Sequence, residues 1–109
     1  MLDEQEFRKH ADEALEILSR ALIKAGDDYD FETDFNAGAL TIDFEEPKGR
    51  FVVSPNSPVR QLWLSARSKS YKLDWDQSRQ SFVLLETGET LLQLIENRLS
   101  EQLGEKVIL

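Results

Sequence analysis

The sequence predicts one α+β domain, a two-layer sandwich in which two helices pack on one face of an antiparallel sheet of five or six strands. Apolar residues recur at steps of three and four near both ends of the 109-residue chain, as amphipathic helices require. Between the ends they alternate with polar residues, as in half-buried strands. Short polar connections favour antiparallel neighbours, and two one-faced helices must cover the same sheet face. Residues 1–109 are therefore expected to form a single domain.

The first helix is predicted over residues 3–25. Its apolar stripe consists of Phe7, Ala11, Ala14, Leu15, Leu18 and Leu22. Acidic residues in the first turn suit the positive end of the helix dipole. Gly26 follows the last turn, where a glycine commonly ends a helix.

Six runs of strand-like alternation follow this helix. They cover residues 28–35, 40–45, 50–54, 59–66, 71–75 and 82–85. Asn36, Ala37 and Gly38 are typical of a hairpin turn between the first two runs. In the first run, aromatic residues and a threonine alternate with carboxylates, which gives that strand one apolar face and one acidic face.

The last helix is predicted to begin after Thr87, whose hydroxyl is the expected N-cap. Its apolar stripe consists of Leu91, Leu92, Ile95, Leu99 and Leu103. Gly104 ends it. Because both helices cover one face of the sheet, the other face stays partly in water, and the side chains there are candidates for function.

The net charge of −8 is unevenly distributed along the chain. Residues 1–46 carry 14 carboxylates against four Lys or Arg, whereas residues 47–109 carry seven against nine. The first half should therefore repel nucleic acid and anionic membranes, and attract cations or a basic protein surface. The alternative interpretation is that the charge serves solubility alone.

The chain contains no cysteine, which excludes disulfides, thiolate metal ligands and cysteine nucleophiles. No apolar run approaches the roughly 20 residues that cross a bilayer. The acidic N-terminus resembles neither a secretory signal nor a transit peptide. We therefore expect a cytoplasmic protein that binds neither nucleic acid nor membranes.

Carboxylates alternate along the first predicted strand, at Asp28, Asp30, Glu32 and Asp34. On an extended strand they would stand about 6–7 Å apart on one face. Hard carboxylate oxygens suit Mg²⁺, Ca²⁺, Mn²⁺ and iron, but an exposed row forms no closed cage, so a metal would bind weakly and keep most of its waters. Like charges on one strand face repel each other, which favours a binding role over a solvated surface.

A second acidic group lies on the predicted first helix and consists of Asp12, Glu13 and Glu16. These residues lie away from the apolar stripe and could extend a metal-binding surface. The alternative is a solvated face with ordinary i,i+4 ion pairs, Lys9 with Glu13 and Glu16 with Arg20. For the helix acids the solvated face is the favoured interpretation.

Alternation in the fourth run turns Leu62 and Leu64 towards the helices and leaves Gln61 and Trp63 on the open face. A large aromatic residue in partial water is a typical anchor for a protein partner. Alternatively, Trp63 packs on neighbouring strand side chains and merely covers the sheet.

Polar residues surround this predicted anchor. Arg60 and Lys72 could flank it, and Asn56 lies in the adjoining loop. The partner-binding candidates are therefore Gln61, Trp63, Arg60, Asn56 and Lys72. The second tryptophan, Trp75, shares a strand face with apolar residues and is expected in the core.

Nothing in the sequence indicates a catalytic centre. His10 is the only histidine, and a structural role is favoured over metal binding for a lone histidine near a helix start. Without cysteine or a second histidine, most acid–base and nucleophilic constellations cannot be built. The five glycines are scattered and form no phosphate-binding loop. We expect no enzyme, and a metal-dependent hydrolase is the least favoured function.

Three segments of the chain resemble the frataxin family, in particular its bacterial CyaY type. They are Asn36-Ala-Gly-Ala-Leu-Thr-Ile42, Gln61-Leu-Trp-Leu-Ser65 and Leu73-Asp-Trp75. The order of the elements agrees over essentially the whole chain. The resemblance implies a small protein of iron–sulfur cluster biogenesis that binds iron weakly, as Fe²⁺ or Fe³⁺. It also implies binding to a cysteine desulfurase and a scaffold protein, and we expect a monomer in the absence of iron.

The resemblance includes the four carboxylates of residues 28–34 but not the end of the first helix. Where family members usually carry acids, this chain has Ser19, Arg20, Ile23 and Lys24. Ser54 stands where the family often has an asparagine. The favoured function is an iron-binding regulator or iron donor in cluster assembly. The alternative is an acidic interaction module that binds a basic partner without metal.

Overall fold

The computed structural model describes residues 2–109. Over this range the chain forms helix α1 (Glu4–Ala25), seven strands and helix α2 (Leu91–Leu103). The strands are β1 (Glu32–Asn36), β2 (Ala39–Glu45), β3 (Lys48–Asn56), β4 (Gln61–Ala66), β5 (Lys69–Asp76), β6 (Ser81–Leu84) and β7 (Glu89–Thr90). They form one sheet in sequence order, and each strand is antiparallel to the next. The predicted α+β sandwich is confirmed, although the sheet has seven strands rather than five or six.

The core lies between the sheet and the two helices, as the apolar stripes predict, except that in α2 Leu94 is buried and the predicted Leu92 is exposed. Its largest fully buried side chains are Phe7, Phe51, Phe82, Leu15, Leu18, Leu22, Leu40, Ile42, Leu62, Leu64, Leu73 and Leu94. They come from both helices and from five strands, so burial of apolar area supplies the main driving force that joins the two layers. Trp75 was expected in the core; it packs against the margin of the core and is only half-buried.

Helix α1 begins at a reciprocal cap. The Asp3 carboxylate accepts a hydrogen bond from the Glu6 backbone N–H at 2.8 Å, and the Glu6 side chain accepts one from the Asp3 N–H at 3.5 Å. Two of the free N–H groups of the first turn are thereby satisfied. The helix ends at Ala25, followed by Gly26, as predicted.

Strand β1 begins four residues later than predicted, at Glu32. The backbone N–H groups of Asp28 and Tyr29 both donate to the carbonyl of Ala25, so the chain continues as a turn after α1 instead of extending. Tyr29 still contacts the core, and its ring stacks on Phe31 with the centroids 6.5 Å apart. The alternating aromatic residues that predicted a strand here therefore pack against the core without belonging to a strand.

The first hairpin agrees with the sequence. Ala37 and Gly38 connect β1 to β2 with φ values of 54° and 80°. Two successive positive φ values define the tight turn that matches the twist of paired strands, and Gly38 adopts this conformation without strain.

The start of the last helix was predicted wrongly. Its N-cap is Thr90 rather than Thr87: the Thr90 hydroxyl accepts from the Gln93 N–H at 3.3 Å, and the Gln93 side chain accepts from the Thr90 N–H at 3.0 Å. Residues 85–88 form a turn instead. It allows the two residues of β7 to pair with β6, which adds the seventh strand.

Candidate functional site

The open face of the sheet carries the side chains that the sequence singled out on β4. Leu62 and Leu64 have no exposed surface because the helices cover them, whereas Gln61 and Trp63 lie on the opposite face and are half-buried. The orientation of these four side chains agrees with the prediction from alternation.

Trp63 is held by its neighbours on β4 and β5. Its indole Nε1 donates to the Gln61 side-chain oxygen at 3.0 Å, and the Gln61 amide donates to an Asp74 carboxylate oxygen at 3.1 Å. The Lys72 ammonium lies 4.9 Å from the centroid of the indole ring, within the range of a cation–π interaction. The ring is therefore fixed in orientation while part of its surface remains accessible. We name Gln61, Trp63, Lys72 and Asp74 the indole cluster.

The antiparallel register explains why the indole cluster forms. Trp63 stands opposite Lys72, and Gln61 stands opposite Asp74. Asp74 was not singled out from the sequence. Pairing β4 with β5 around the intervening turn would have found it, because cross-strand partners share one face of a sheet.

One of the two remaining candidates, Asn56, extends this surface, and the other, Arg60, does not. Asn56 and Ser54 on β3 stand opposite Gln61 and Trp63 and are half-buried, so both lie beside the indole cluster. Arg60 occupies a left-handed conformation with φ of 54° before β4, and its guanidinium donates to the carbonyl of Ser57. This hydrogen bond ties Arg60 to the preceding turn rather than to the Trp63 side chain that it was expected to flank.

The predicted row of four strand carboxylates is not formed. Only Glu32 and Asp34 belong to β1, on the open face, while Asp28 and Asp30 lie in the preceding turn. Asp43 on β2 stands opposite Glu32. We name these five residues the acidic edge.

One member of the acidic edge has a partner on the next strand. The Asp43 carboxylate accepts a hydrogen bond from Arg50 Nε on β3 at 2.7 Å. Within residues 2–109 no group of three or more acidic or histidine side chains is arranged to hold a metal ion. The acidic edge thus offers negative charge and one or two carboxylates at a time, which suits hydrated, weakly bound cations.

The acids of α1 are exposed and lie on the helix layer, separate from the open sheet face. Glu16 forms an ion pair with Arg20, as predicted. The predicted pair between Lys9 and Glu13 is absent from the ion pairs of residues 2–109. Asp12 and Glu13 are exposed, and neither forms an ion pair in this range.

His10 packs against the second tryptophan. The imidazole stacks on the Trp75 ring with centroids 4.0 Å apart and planes inclined by 19°, and Trp75 also meets the edge of Phe82. The Trp75 Nε1 donates to the side chain of Gln77 at 2.9 Å. These contacts support the structural role that the sequence favoured for His10.

The fold and its open face together define a small two-layer α+β domain with one covered and one partly solvated sheet face. A family model described as a frataxin-like domain matches residues 1–105. The chain belongs to this family.

Relatives agree over nearly the whole chain. The iron–sulfur cluster assembly protein CyaY of Pseudomonas putida (strain GB-1) is 32% identical over 106 residues, which cover 97% of this chain and 94% of that protein. The protein of the same name from Azotobacter vinelandii is 32% identical over 80 residues, covering 73% and 72%. The structure of frataxin from Psychromonas ingrahamii has a TM-score of 0.83 at 21% identity, covering 97% and 96% of the two chains. The similarity to that structure supports the fold. Neither helix within residues 2–109 is long and apolar enough to cross a membrane.

Proposed function

We propose that this chain is an iron-binding regulator or iron donor in iron–sulfur cluster assembly, and that it docks on a cysteine desulfurase and on a scaffold protein. Relatives at 32% identity carry the name of cluster assembly proteins, which supports the process. The observation that carries the proposal is that the strand carboxylates of the acidic edge (Glu32, Asp34 and Asp43) and the indole cluster lie on one open sheet face. A metal site and a protein contact on one surface could act together on a bound partner.

The proposed contact with the scaffold protein is the indole cluster. A half-buried tryptophan whose ring is already oriented loses little conformational freedom on binding, which lowers the entropic cost of association. Lys72 and Asp74 add charges of opposite sign beside the indole, so a partner can be selected by charge complementarity as well as by shape.

The proposed iron site is the acidic edge, with Glu32 and Asp34 as its strand residues and Asp28 and Asp30 as neighbours in the turn. Carboxylates bind Fe²⁺ and Fe³⁺ as hard oxygen ligands, and an exposed, open arrangement leaves most of the coordination sphere to water. Weak binding would suit a donor, because the ion must be released. The acids of α1 support the proposal less, since Glu16 is paired with Arg20.

Titration with Fe²⁺ under anaerobic conditions tests the iron site. Amide NMR signals of residues 28–34 should broaden first, because the bound ion is paramagnetic. Glu32→Gln combined with Asp34→Asn should weaken this effect. Glu86→Gln combined with Glu105→Gln makes the same charge change at two exposed positions elsewhere and should leave it intact. Absence of localised broadening at millimolar iron would contradict the iron site.

A binding assay with purified cysteine desulfurase and scaffold protein tests the docking. Trp63→Ala should weaken scaffold binding, whereas Leu85→Ala, at a position that is 71% exposed, should not. Asp30→Lys combined with Glu32→Lys should weaken desulfurase binding, with Glu86→Lys combined with Glu105→Lys as the control. Unchanged binding in both test variants would show that the docking surfaces are assigned wrongly.

A metal-independent acidic module is the second candidate. It is favoured by the lack of a preformed three-ligand cluster within residues 2–109 and by the carboxylates concentrated in the first 46 residues. Repeating the binding assay with a chelator separates the two functions. Binding and regulation that are unaffected by iron removal would support the module, and iron-dependent effects on assembly rate would support the first proposal.

A further inference from the structure

A groove on the helix side of the molecule is separate from the open sheet face. It lies between the first half of α1, the turn from β5 to β6 and the beginning of α2, and its volume is about 320 Å³. Its lining includes His10, Glu13, Ile17, Trp75, Phe82 and Leu92. This volume is at the lower end of the range for small-molecule sites in proteins, about 300–1,000 Å³.

Two apolar residues of the groove, one on each helix, are exposed to solvent. Ile17 on α1 is 63% exposed and Leu92 on α2 is 38% exposed, whereas the neighbouring Leu18, Phe82 and Leu91 are buried. The Trp75 ring forms an aromatic wall between the two exposed residues and the sheet, held in place by its stacking on His10 and its contact with Phe82. Covering such surface with an apolar ligand would be favourable, and aromatic contacts add to the gain from burial alone.

The charge of the groove determines whether it favours a cationic or an anionic ligand. Among the described residues that line the groove, Glu13 is the only carboxylate, and none is a lysine or an arginine. Glu13 has no ion pair within residues 2–109, whereas Glu16, one turn further along α1, is paired with Arg20. A cationic group on a ligand would therefore meet an available carboxylate at the rim, while an anionic group would be repelled.

We propose that this groove binds a small aromatic amine, with its ring against Trp75, Ile17 and Leu92 and its ammonium group beside Glu13. The volume limits the ligand to roughly the size of one bicyclic ring with a short chain. The inference does not depend on the proposed role in cluster assembly, because the groove shares no residue with the acidic edge or the indole cluster.

Three indole compounds that differ in charge test the proposal: tryptamine as the cation, indole as the neutral compound and indole-3-propionate as the anion. Tryptamine should bind with a Kd on the order of 1 mM, the value that ordinary ligand efficiency gives for a molecule of its size. Indole should bind more weakly and the propionate weakest. Amide NMR shifts should be confined to residues that line the groove.

Matched variants separate a specific site from general attraction to an acidic protein. Glu13→Gln should weaken tryptamine binding about three-fold, as expected for an exposed ion pair, and leave indole binding unchanged. Glu16→Gln should change neither. Ala14→Leu should fill the groove and abolish binding of all three compounds. Ile17→Ser, at an exposed position, provides a second loss of apolar contact that leaves the core intact.

Three results would overturn the proposal. They are equal binding of the three compounds, an equal effect of Glu13→Gln and Glu16→Gln, and unchanged tryptamine binding in both Ala14→Leu and Ile17→Ser. Shifts spread over the acidic edge instead of the groove would likewise show that only net charge attracts the amine.

Discussion

The carboxylates of β1 stand free at the edge of the open sheet face, whereas the indole of Trp63, three strands away on the same face, is held by Gln61 and Lys72. Within residues 2–109 neither Glu32 nor Asp34 has a side-chain hydrogen bond or an ion pair. Charge without fixed geometry can attract any hard cation, but it discriminates poorly among them. A fixed aromatic surface can discriminate by shape, because its geometry is present before the partner arrives.

The largest expected effect distinguishes the two faces of β4. Leu64→Ala should lower the free energy of unfolding by about 2–5 kcal/mol, because a fully buried leucine leaves a cavity. Trp63→Ala should cost about 1–2 kcal/mol, since part of the ring already contacts water. Urea denaturation measures both values, with Leu85→Ala as a neutral control. If Trp63→Ala costs as much as Leu64→Ala, Trp63 mainly covers the sheet and the contrast with the acidic edge is lost.

A smaller expected effect tests whether hydrogen bonds fix the side chains of the indole cluster. Gln61→Ala removes the acceptor of the Trp63 N–H and the donor to Asp74, and should cost about 1 kcal/mol. The indole N–H signal of Trp63 should shift in the NMR spectrum.

Gln77→Ala is the matched control, because Gln77 accepts from the other tryptophan, Trp75. Each variant should move the signal of its own tryptophan and leave the other in place. A Trp63 signal that is insensitive to Gln61→Ala would mean that the ring is not held by this hydrogen bond.

The third test concerns the acidic edge. Glu32 stands directly opposite Asp43, and like charges at such positions repel each other. Glu32→Gln should therefore raise the free energy of unfolding by a few tenths of a kcal/mol at low salt, and the gain should disappear near 1 M salt, where the Debye length is about 3 Å. Glu86→Gln should show no such gain. A loss of stability in Glu32→Gln would mean that the Glu32 carboxylate makes stabilising contacts in the folded protein.

The smallest effect concerns a carboxylate at the opposite edge of the sheet. Partial burial tends to raise the pKa of Glu89, but hydrogen bonds from Asn97 at 2.6 Å and Thr87 at 2.7 Å outweigh it and hold this pKa below its ordinary value of 4.5. The lowered pKa means that ionised Glu89 stabilises the fold above about pH 4.5, and that this contribution is lost as the pH falls through the folded-state value.

Asn97→Ala should raise the pKa of Glu89 towards the ordinary value, as followed by NMR titration of the side-chain carboxyl. The contribution to stability above pH 4.5 should shrink accordingly. An unchanged titration of Glu89 would show that the hydrogen bond from Asn97 does not hold this carboxylate. The charges at both edges of the sheet would then lack fixed partners.

Local periodicity was enough to predict most of the fold. The stripes of α1 and α2 depend on residues three or four apart, and the outward orientation of Trp63 depends on its immediate neighbours, so the sequence contains both directly. Errors arose where a local pattern had two structural solutions. Residues 28–30 alternate like a strand but lie in a turn, because the N–H groups of Asp28 and Tyr29 donate to the carbonyl of Ala25 at the end of α1. Thr87 and Thr90 are both suitable N-cap residues. Only Thr90 is followed three positions later by a glutamine or glutamate, Gln93, which completes the reciprocal cap.

The sequence by itself determined the two-layer architecture, the acidic first half and the exposed side of β4, since each depends on composition or on spacing along one element. Only the tertiary structure decided which of these side chains are held in place by contacts with other elements. Asp74 reaches Gln61 across a strand pair, Arg50 reaches Asp43 in the same way, and His10 stacks on Trp75, 65 positions further along the chain. Such contacts depend on strand register and on the docking of α1, and neither is encoded in the spacing of neighbouring residues.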